Sequence, residues 1–144
     1  MLLGLDPLLS PDLLHALAAM GHGDRIALVD ANYPATTGRR LIVLPGIEVS
    51  RALRAVLTVL PCDTFVDDPA AVMQVVGAPD EVPPVVAGMN AELAARGWPA
   101  AVGLERHAFY AAAATAFAIV QTGERRFYGN IILSKGVVAP EESR

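Results

Sequence analysis

Short β-type apolar runs alternate with helix-patterned segments along the whole chain, and this alternation constrains the fold more than any other feature. Strand patterns fall at Arg25 to Val29, Arg40 to Leu44, Ala101 to Leu104, Phe117 to Gln121 and Ile131 to Leu133, with shorter candidates at Thr64 to Val66 and Val72 to Val76. Ser10-Pro11-Asp12 starts a helix, with a serine cap, proline at the first helical position and an acid in the first turn. Gly21, in the left-handed conformation, ends it. Val49, Leu53, Val56, Leu57 and Leu60 recur at helical spacing until Pro61. Pro83-Pro84 opens a helix that Gly97 closes, and another covers His107 to Thr115. Strands separated by helices in this way predict an α/β fold, a largely parallel sheet with helices on both faces. No linker, repeat or low-complexity tract interrupts the pattern, so residues 1–144 form a single compact domain, long enough for one core.

Charge and hydropathy exclude several partners. The net charge of −4 and pI of 5.2 leave no basic face for nucleic acid. Ala108 to Val120, the longest nearly apolar stretch, is shorter than the ~18 residues of a membrane span and is flanked by Glu105, Arg106 and Glu124. The start, Met1 to Asp6, lacks a basic region, so no cleaved signal peptide is expected and the protein reads as cytoplasmic. The one cysteine, Cys62, rules out an internal disulfide and a thiolate metal cluster, and is expected to be a small buried hydrophobe. An apolar content of 53% and a mean hydropathy of +0.43 are high for a soluble monomer, which predicts surface buried between subunits. What remains is a small-molecule ligand.

Candidate chemistry lies at strand boundaries. Gly21-His22-Gly23-Asp24 precedes the run Ile26 to Val29, which ends on Asp30, and Tyr128-Gly129-Asn130 opens the run Ile131 to Leu133. An imidazole between two glycines is accessible, and an unpaired carboxylate closing a buried strand would be costly. The bland alternatives are a surface histidine, a capping aspartate and a turn shaped by Tyr128 and Asn130. The glycines around His22 are not a dinucleotide fingerprint, since they precede a strand instead of opening a helix. Nucleophile-elbow, His-Glu-x-x-His and Cys-x-x-Cys patterns are absent, so no cofactor is called for. His22 with Asp24 or Asp30 lacks a visible third ligand for a metal. His15 belongs on an exposed helix face, His107 is either a first-turn helix residue or a site neighbour, and Ala111 to Ala114 suits close helix packing.

In combination and order, several motifs resemble the L-fucose mutarotase and D-ribose pyranase family: Gly21-His22-Gly23-Asp24, Asp30-Ala31 with Pro34, Phe109-Tyr110, Ala116 to Val120, Thr122-Gly123-Glu124, Tyr128 to Leu133 and Gly136-Val137. The resemblance runs from about Leu2 to Val138, and Cys62 to Gly103 is its least family-like part. It implies a compact α/β sandwich, a monosaccharide substrate, no cofactor, and subunits assembled into homo-oligomeric rings with sites between neighbours. It further implies that His22 is the catalytic proton donor and that Asp30, Arg106, Tyr128, Gly129 and Asn130 line the sugar site. Against that, Arg106 could pair with Glu105 or Glu124 on a solvated face. Asn32-Tyr33 and Arg106-x-x-Phe109-Tyr110 lie closer to the fucose branch, with asparagine at 32 where that branch commonly has histidine.

Exchanging the anomers of a reducing sugar needs a proton delivered to the ring oxygen and another removed from the anomeric hydroxyl. Histidine, with a reference pKa of ~6.5, can do either near neutral pH. His22 and Asp30 flank one strand, roughly 15 to 25 Å apart if the chain between them is extended. A site using both therefore implies a head-to-tail contact that closes into a ring, unless the glycine-flanked turn folds His22 back onto Asp30. The competing functions are a non-catalytic sugar-binding or transport-accessory protein, pyranose/furanose exchange of the ribose type, and a metal-dependent sugar isomerase.

Overall fold

The computed structural model describes residues 1–35 and 40–143. Its elements in chain order are α1 (Pro11–Ala19), β1 (Arg25–Val29), β2 (Arg40–Leu44), α2 (Val49–Leu57), β3 (Ala70–Met73), α3 (Pro84–Ala95), β4 (Val102–Leu104), α4 (Arg106–Ala114), β5 (Ala118–Thr122) and β6 (Ile131–Ser134), with a short 3-10 turn at Glu141–Ser143. The strands form a six-stranded sheet in the order β2-β5-β1-β6-β3-β4. Pairing is parallel for β1 with β5, β2 with β5 and β3 with β4, whereas β6 runs antiparallel to both β1 and β3. The expectation of a largely parallel sheet therefore holds.

Helices cover both faces, unequally. On one side Leu13 and Leu17 of α1, Leu53 and Val56 of α2, and Met89 and Leu93 of α3 pack with Ile26, Leu28, Val120, Ile131 and Leu133 of the sheet. On the other, α4 contributes Phe109 and Ala113 against Ala27, Val29, Ile119 and Ile132. Because β1 lies inside the sheet and is covered on both faces, all its residues after Arg25 are buried, as its unbroken apolar run requires. Within the Ala111 to Ala114 run, expected to pack closely, Ala113 is fully buried and Ala112 packs half-buried against the same cluster.

Local signals explain the element ends. Ser10 Oγ accepts from Leu13 N at 3.3 Å, with Pro11 opening α1 as its sequence predicts. The helix ends differently from expectation: Met20 caps it in an extended conformation, and the left-handed residue is Gly23 (φ +83°), not Gly21. Lys135 Nζ takes over the terminal carbonyls, donating to Leu17 O at 2.7 Å and Met20 O at 2.6 Å. Helix α2 stops at Leu57, short of the predicted Leu60. There Thr58 Oγ1 donates back to Ala55 O at 2.6 Å, while the following turn still buries Leu60.

Two strand expectations fail for a shared reason, local turn chemistry. Thr64 to Val66 is a turn, because Asp63 Oδ1 accepts from Phe65 N at 3.1 Å and bends the chain outward. The strand expected over Val72 to Val76 ends at Met73, after which Val75 bridges Ala78. Cys62 is half-buried, not fully enclosed, since it sits on the bridge to Lys135.

Candidate functional site

The end of β1 and the start of β6 build the first cleft. Asp30 N donates to Asn130 Oδ1 at 2.8 Å, and Asn130 Nδ2 donates to Asp30 Oδ2 at 3.2 Å. Asp30 Oδ1 accepts from Asn32 N at 2.9 Å, so both oxygens of the carboxylate closing the strand have a partner and each keeps a lone pair for a ligand. Burial pushes the Asp30 carboxyl above its ordinary value, against the opposing hydrogen bonds from Asn32, Asn130 and Tyr33. A cleft of about 220 Å³ opens beside this pair, walled by Tyr33, Tyr110, Phe127 and Tyr128. It is smaller than the ~300–1,000 Å³ of drug-sized pockets and suits a compact polar ligand.

Aromatic hydroxyls dominate the wall. Tyr33 packs edge-on to Phe109 and 5.4 Å from the Tyr110 ring. Burial, with the charges of Tyr110 and Asp30, pushes its pKa up to about 12, which keeps the phenol a neutral donor. Tyr128 accepts from Val76 N through its hydroxyl at 3.1 Å and has φ +67°, a left-handed backbone rare outside glycine. Arg106 is exposed at the first position of α4, one turn before Tyr110 and on the same helix face, but outside the cleft lining. Glu124 pairs not with Arg106 but with Arg126, at 2.9 Å. His107 is a first-turn helix residue whose N–H donates to the Glu105 cap.

His22 lies at the opposite end of β1. Its Nε2 is 3.1 Å from Asp63 Oδ1, with the imidazole 44% exposed and the carboxylate 2% exposed. The Phe65 ring lies 5.1 Å away, centroid to centroid. The turn is pinned by Gly23 N donating to Lys135 O at 2.8 Å and Lys135 N to Asp24 O at 2.9 Å. Asp24 Oδ2 accepts from Gly21 N at 2.7 Å and so braces the turn. A second cleft, of about 280 Å³, is lined here by Gly23, Arg25, Asp63 and Asp68.

Asp30, Tyr128, Gly129 and Asn130 thus come together, whereas His22 does not join them: the five residues of β1 stand between. The glycine-flanked turn does not fold back, and His22 turns to Asp63 instead. Sequence reasoning missed Asp63, and it picked out Tyr33 and Tyr110 as motif residues without placing them in the site. Asp63 falls where no motif could be transferred, and only its short spacing to Phe65 marks a turn. Among the described residues, no three His, Cys, Asp or Glu side chains are grouped as metal ligands would be, and no helix is long and apolar enough to cross a membrane.

A six-stranded α/β sheet with a cleft at each end of its inner strand β1, each carrying acidic side chains, is the architecture of a small-ligand protein. The chain belongs to the RbsD / FucU transport protein family, whose model matches residues 3–138. It is 46% identical over 144 residues to the fucose mutarotase of Homo sapiens, covering 94% of each chain. It is 43% identical over 141 residues to the L-fucose mutarotase of Haemophilus influenzae, covering 95% of this chain and 97% of that one. Among solved structures, the fucose mutarotase in complex with L-fucose from Streptococcus pneumoniae superposes with a TM-score of 0.89 at 38% identity, covering 96% of this chain and 100% of the other. Bacillus subtilis RbsD complexed with D-ribose shares the fold, with a TM-score of 0.75 at 21% identity over 91% of this chain and 95% of that one.

Proposed function

We propose that this protein is a mutarotase, an isomerase that interconverts the anomers of L-fucose by acid/base ring opening and closure. The observation that carries the reading is the pairing of a His22–Asp63 dyad with a separate, hydroxyl-rich cleft in a chain 46% identical to a fucose mutarotase. The reaction moves only protons: one is delivered to the ring oxygen as another leaves the anomeric hydroxyl, C1–C2 turns, and the ring closes on the other face. No electron or group is transferred, so the chemistry asks for no cofactor. General acid/base groups typically contribute roughly 10² to 10⁴-fold to such a step.

His22 is the proton donor. With Nε2 turned to Asp63, Nδ1 is the nitrogen left to meet the sugar, and the buried carboxylate orients the ring and balances the charge it takes up as a proton moves. Asp30 and Asn130 bind hydroxyls, Tyr128 donates and accepts at the anomeric end, Gly129 joins the two where a side chain would meet Glu124, and Arg106 reaches in from the helix face beside Tyr110. Because β1 separates the two clefts, one sugar uses Asp30 of one protomer and His22 of its neighbour. Repeated head to tail, that contact closes a homo-oligomeric ring. Exposed Leu41, Val43, Phe65 and Phe127 supply apolar surface for such an assembly to cover. The single thiol fits a reducing, cytoplasmic setting.

Saturation-transfer NMR on L-fucose, with micromolar protein and no added metal, tests the reading. Anomer exchange should accelerate in proportion to protein. Unchanged exchange across a panel of reducing sugars, with binding retained, would make the protein a sugar-binding module instead.

A further inference from the structure

Glu124 is a buried acid that reaches neither cleft, yet both of its carboxylate oxygens are engaged. Oε1 accepts from Arg126 N and Arg126 Nε, each at 2.9 Å. Oε2 accepts from Arg126 Nη2 at 2.9 Å and from Val49 N at 3.3 Å. Val49 is the first residue of α2, whose own N-cap, Glu48, makes no side-chain cap bond. Glu124 therefore caps that helix from 75 residues away, where a negative charge is favourable. An exposed ion pair with Arg126 would need none of this burial.

The same residue ties the two walls of the sugar cleft together. Its carbonyl accepts from Ala31 N at 2.9 Å, immediately after Asp30. Its N–H donates to Thr122 Oγ1 at 3.2 Å, and that hydroxyl donates to Val29 O at 2.8 Å at the end of β1. Its Cγ lies where a side chain at position 129 would go: a Cβ on Gly129 would stand 2.6 Å from it. Between the two, Tyr128 is held at φ +67°, a conformation that persists in a non-glycine residue only when its surroundings over-determine it.

We infer that Glu124 is the positioning residue of the cleft, the carboxylate around which residues 124–130 fold so that the Tyr128 hydroxyl faces a sugar held at the Asp30–Asn130 pair. The Arg126 guanidinium holds its carboxyl down to about 2 against the penalty of burial, so the acceptor is ionised near neutral pH. The inference rests on Tyr128 belonging to the sugar site.

Glu124→Gln keeps the shape but turns an amide N–H toward donors. The saturated L-fucose exchange rate should fall about tenfold or more, a cost in line with small misplacements of catalytic groups. In a Tyr128→Phe background the same substitution should cost less than twofold further, because a residue acting through Tyr128 has nothing left to position. A wild-type rate in Glu124→Gln overturns the inference, and so does an undiminished loss in the Tyr128→Phe background, which marks a merely structural role. If Tyr128→Phe alone keeps the wild-type rate, the reading of the site fails, and the inference with it. Should Glu124→Gln fail to fold, Arg126→Met leaves the cap on Val49 in place and should show a smaller loss with the same dependence on Tyr128.

Discussion

Asp30 and Asn130 hold each other through two hydrogen bonds, Asp30 N to Asn130 Oδ1 at 2.8 Å and Asn130 Nδ2 to Asp30 Oδ2 at 3.2 Å. The main-chain N–H can only donate, so Oδ1 must face it, and Nδ2 is thereby turned toward the carboxylate. An amide fixed in this way presents one defined pattern of donors and acceptors to the cleft. The pairing also locks β6 to the end of β1, where the antiparallel register runs from Arg25↔Ser134 to Leu28↔Ile131.

Asn130→Asp removes the donor and sets two buried carboxylates against each other. An unmet buried polar group costs roughly 1–3 kcal/mol, so L-fucose affinity should drop about fivefold or more and the melting temperature should fall. Titration calorimetry and thermal melts check both. Wild-type affinity in a folded variant would remove Asn130 from the sugar site.

Asp63→Asn tests the dyad without changing its shape. The neutral amide still meets His22 and Phe65 N but cannot stabilise an imidazolium, so the exchange rate should fall about ten- to a hundredfold, part of the range that acid/base groups supply, with sugar binding retained. His22→Ala should lose more than Asp63→Asn. If the double variant is no slower than His22→Ala alone, Asp63 acts wholly through His22.

Acid stability follows from Glu124. Its folded carboxyl titrates near about 2 against an ordinary value of 4.5. A depressed pKa stabilises the fold in full above the unfolded value, and that contribution is lost as pH falls from 4.5 toward 2. Asp30 works the other way, since burial raises its pKa and protonation relieves the cost. Melting wild type and Glu124→Gln at about pH 6 and about pH 3 separates the two terms. The gap between the proteins should shrink at the lower pH, and an equal gap at both would assign the acid sensitivity elsewhere.

Much of this arrangement was legible locally. The unbroken run before Asp30 marks an inner strand, and the Ser10-Pro11 start and the proline pair before α3 mark helices by chemistry confined to a few residues. The Asp30 cleft was half legible, because Tyr128, Gly129 and Asn130 adjoin the strand that places them. Asp63 was not, since its partner His22 is 41 residues away and its own neighbourhood shows neither strand nor helix periodicity. Nor does any local pattern state that β6 enters the sheet antiparallel, yet this reversal is what brings Asn130 to Asp30 and Lys135 to the His22 turn.

The separation of His22 from Asp30 by the whole of β1 leads to a test of assembly. Five strand residues at ~3.3 Å each put the two clefts well beyond the span of one sugar. His22→Ala and Asp30→Ala subunits should each be inactive when pure, one lacking the acid and the other the hydroxyl clamp. Mixed and allowed to exchange, they form interfaces at which an intact His22–Asp63 pair meets an intact Asp30 cleft. A random mixture of equal parts should regain about a quarter of the wild-type rate, because each interface needs one particular subunit on each side. A double variant carrying both substitutions, mixed with wild type, controls for loss by dilution. Native mass spectrometry confirms that mixed oligomers exist. Mixed oligomers that recover no activity, or a monomer that is fully active, would show that the sugar is handled within one chain.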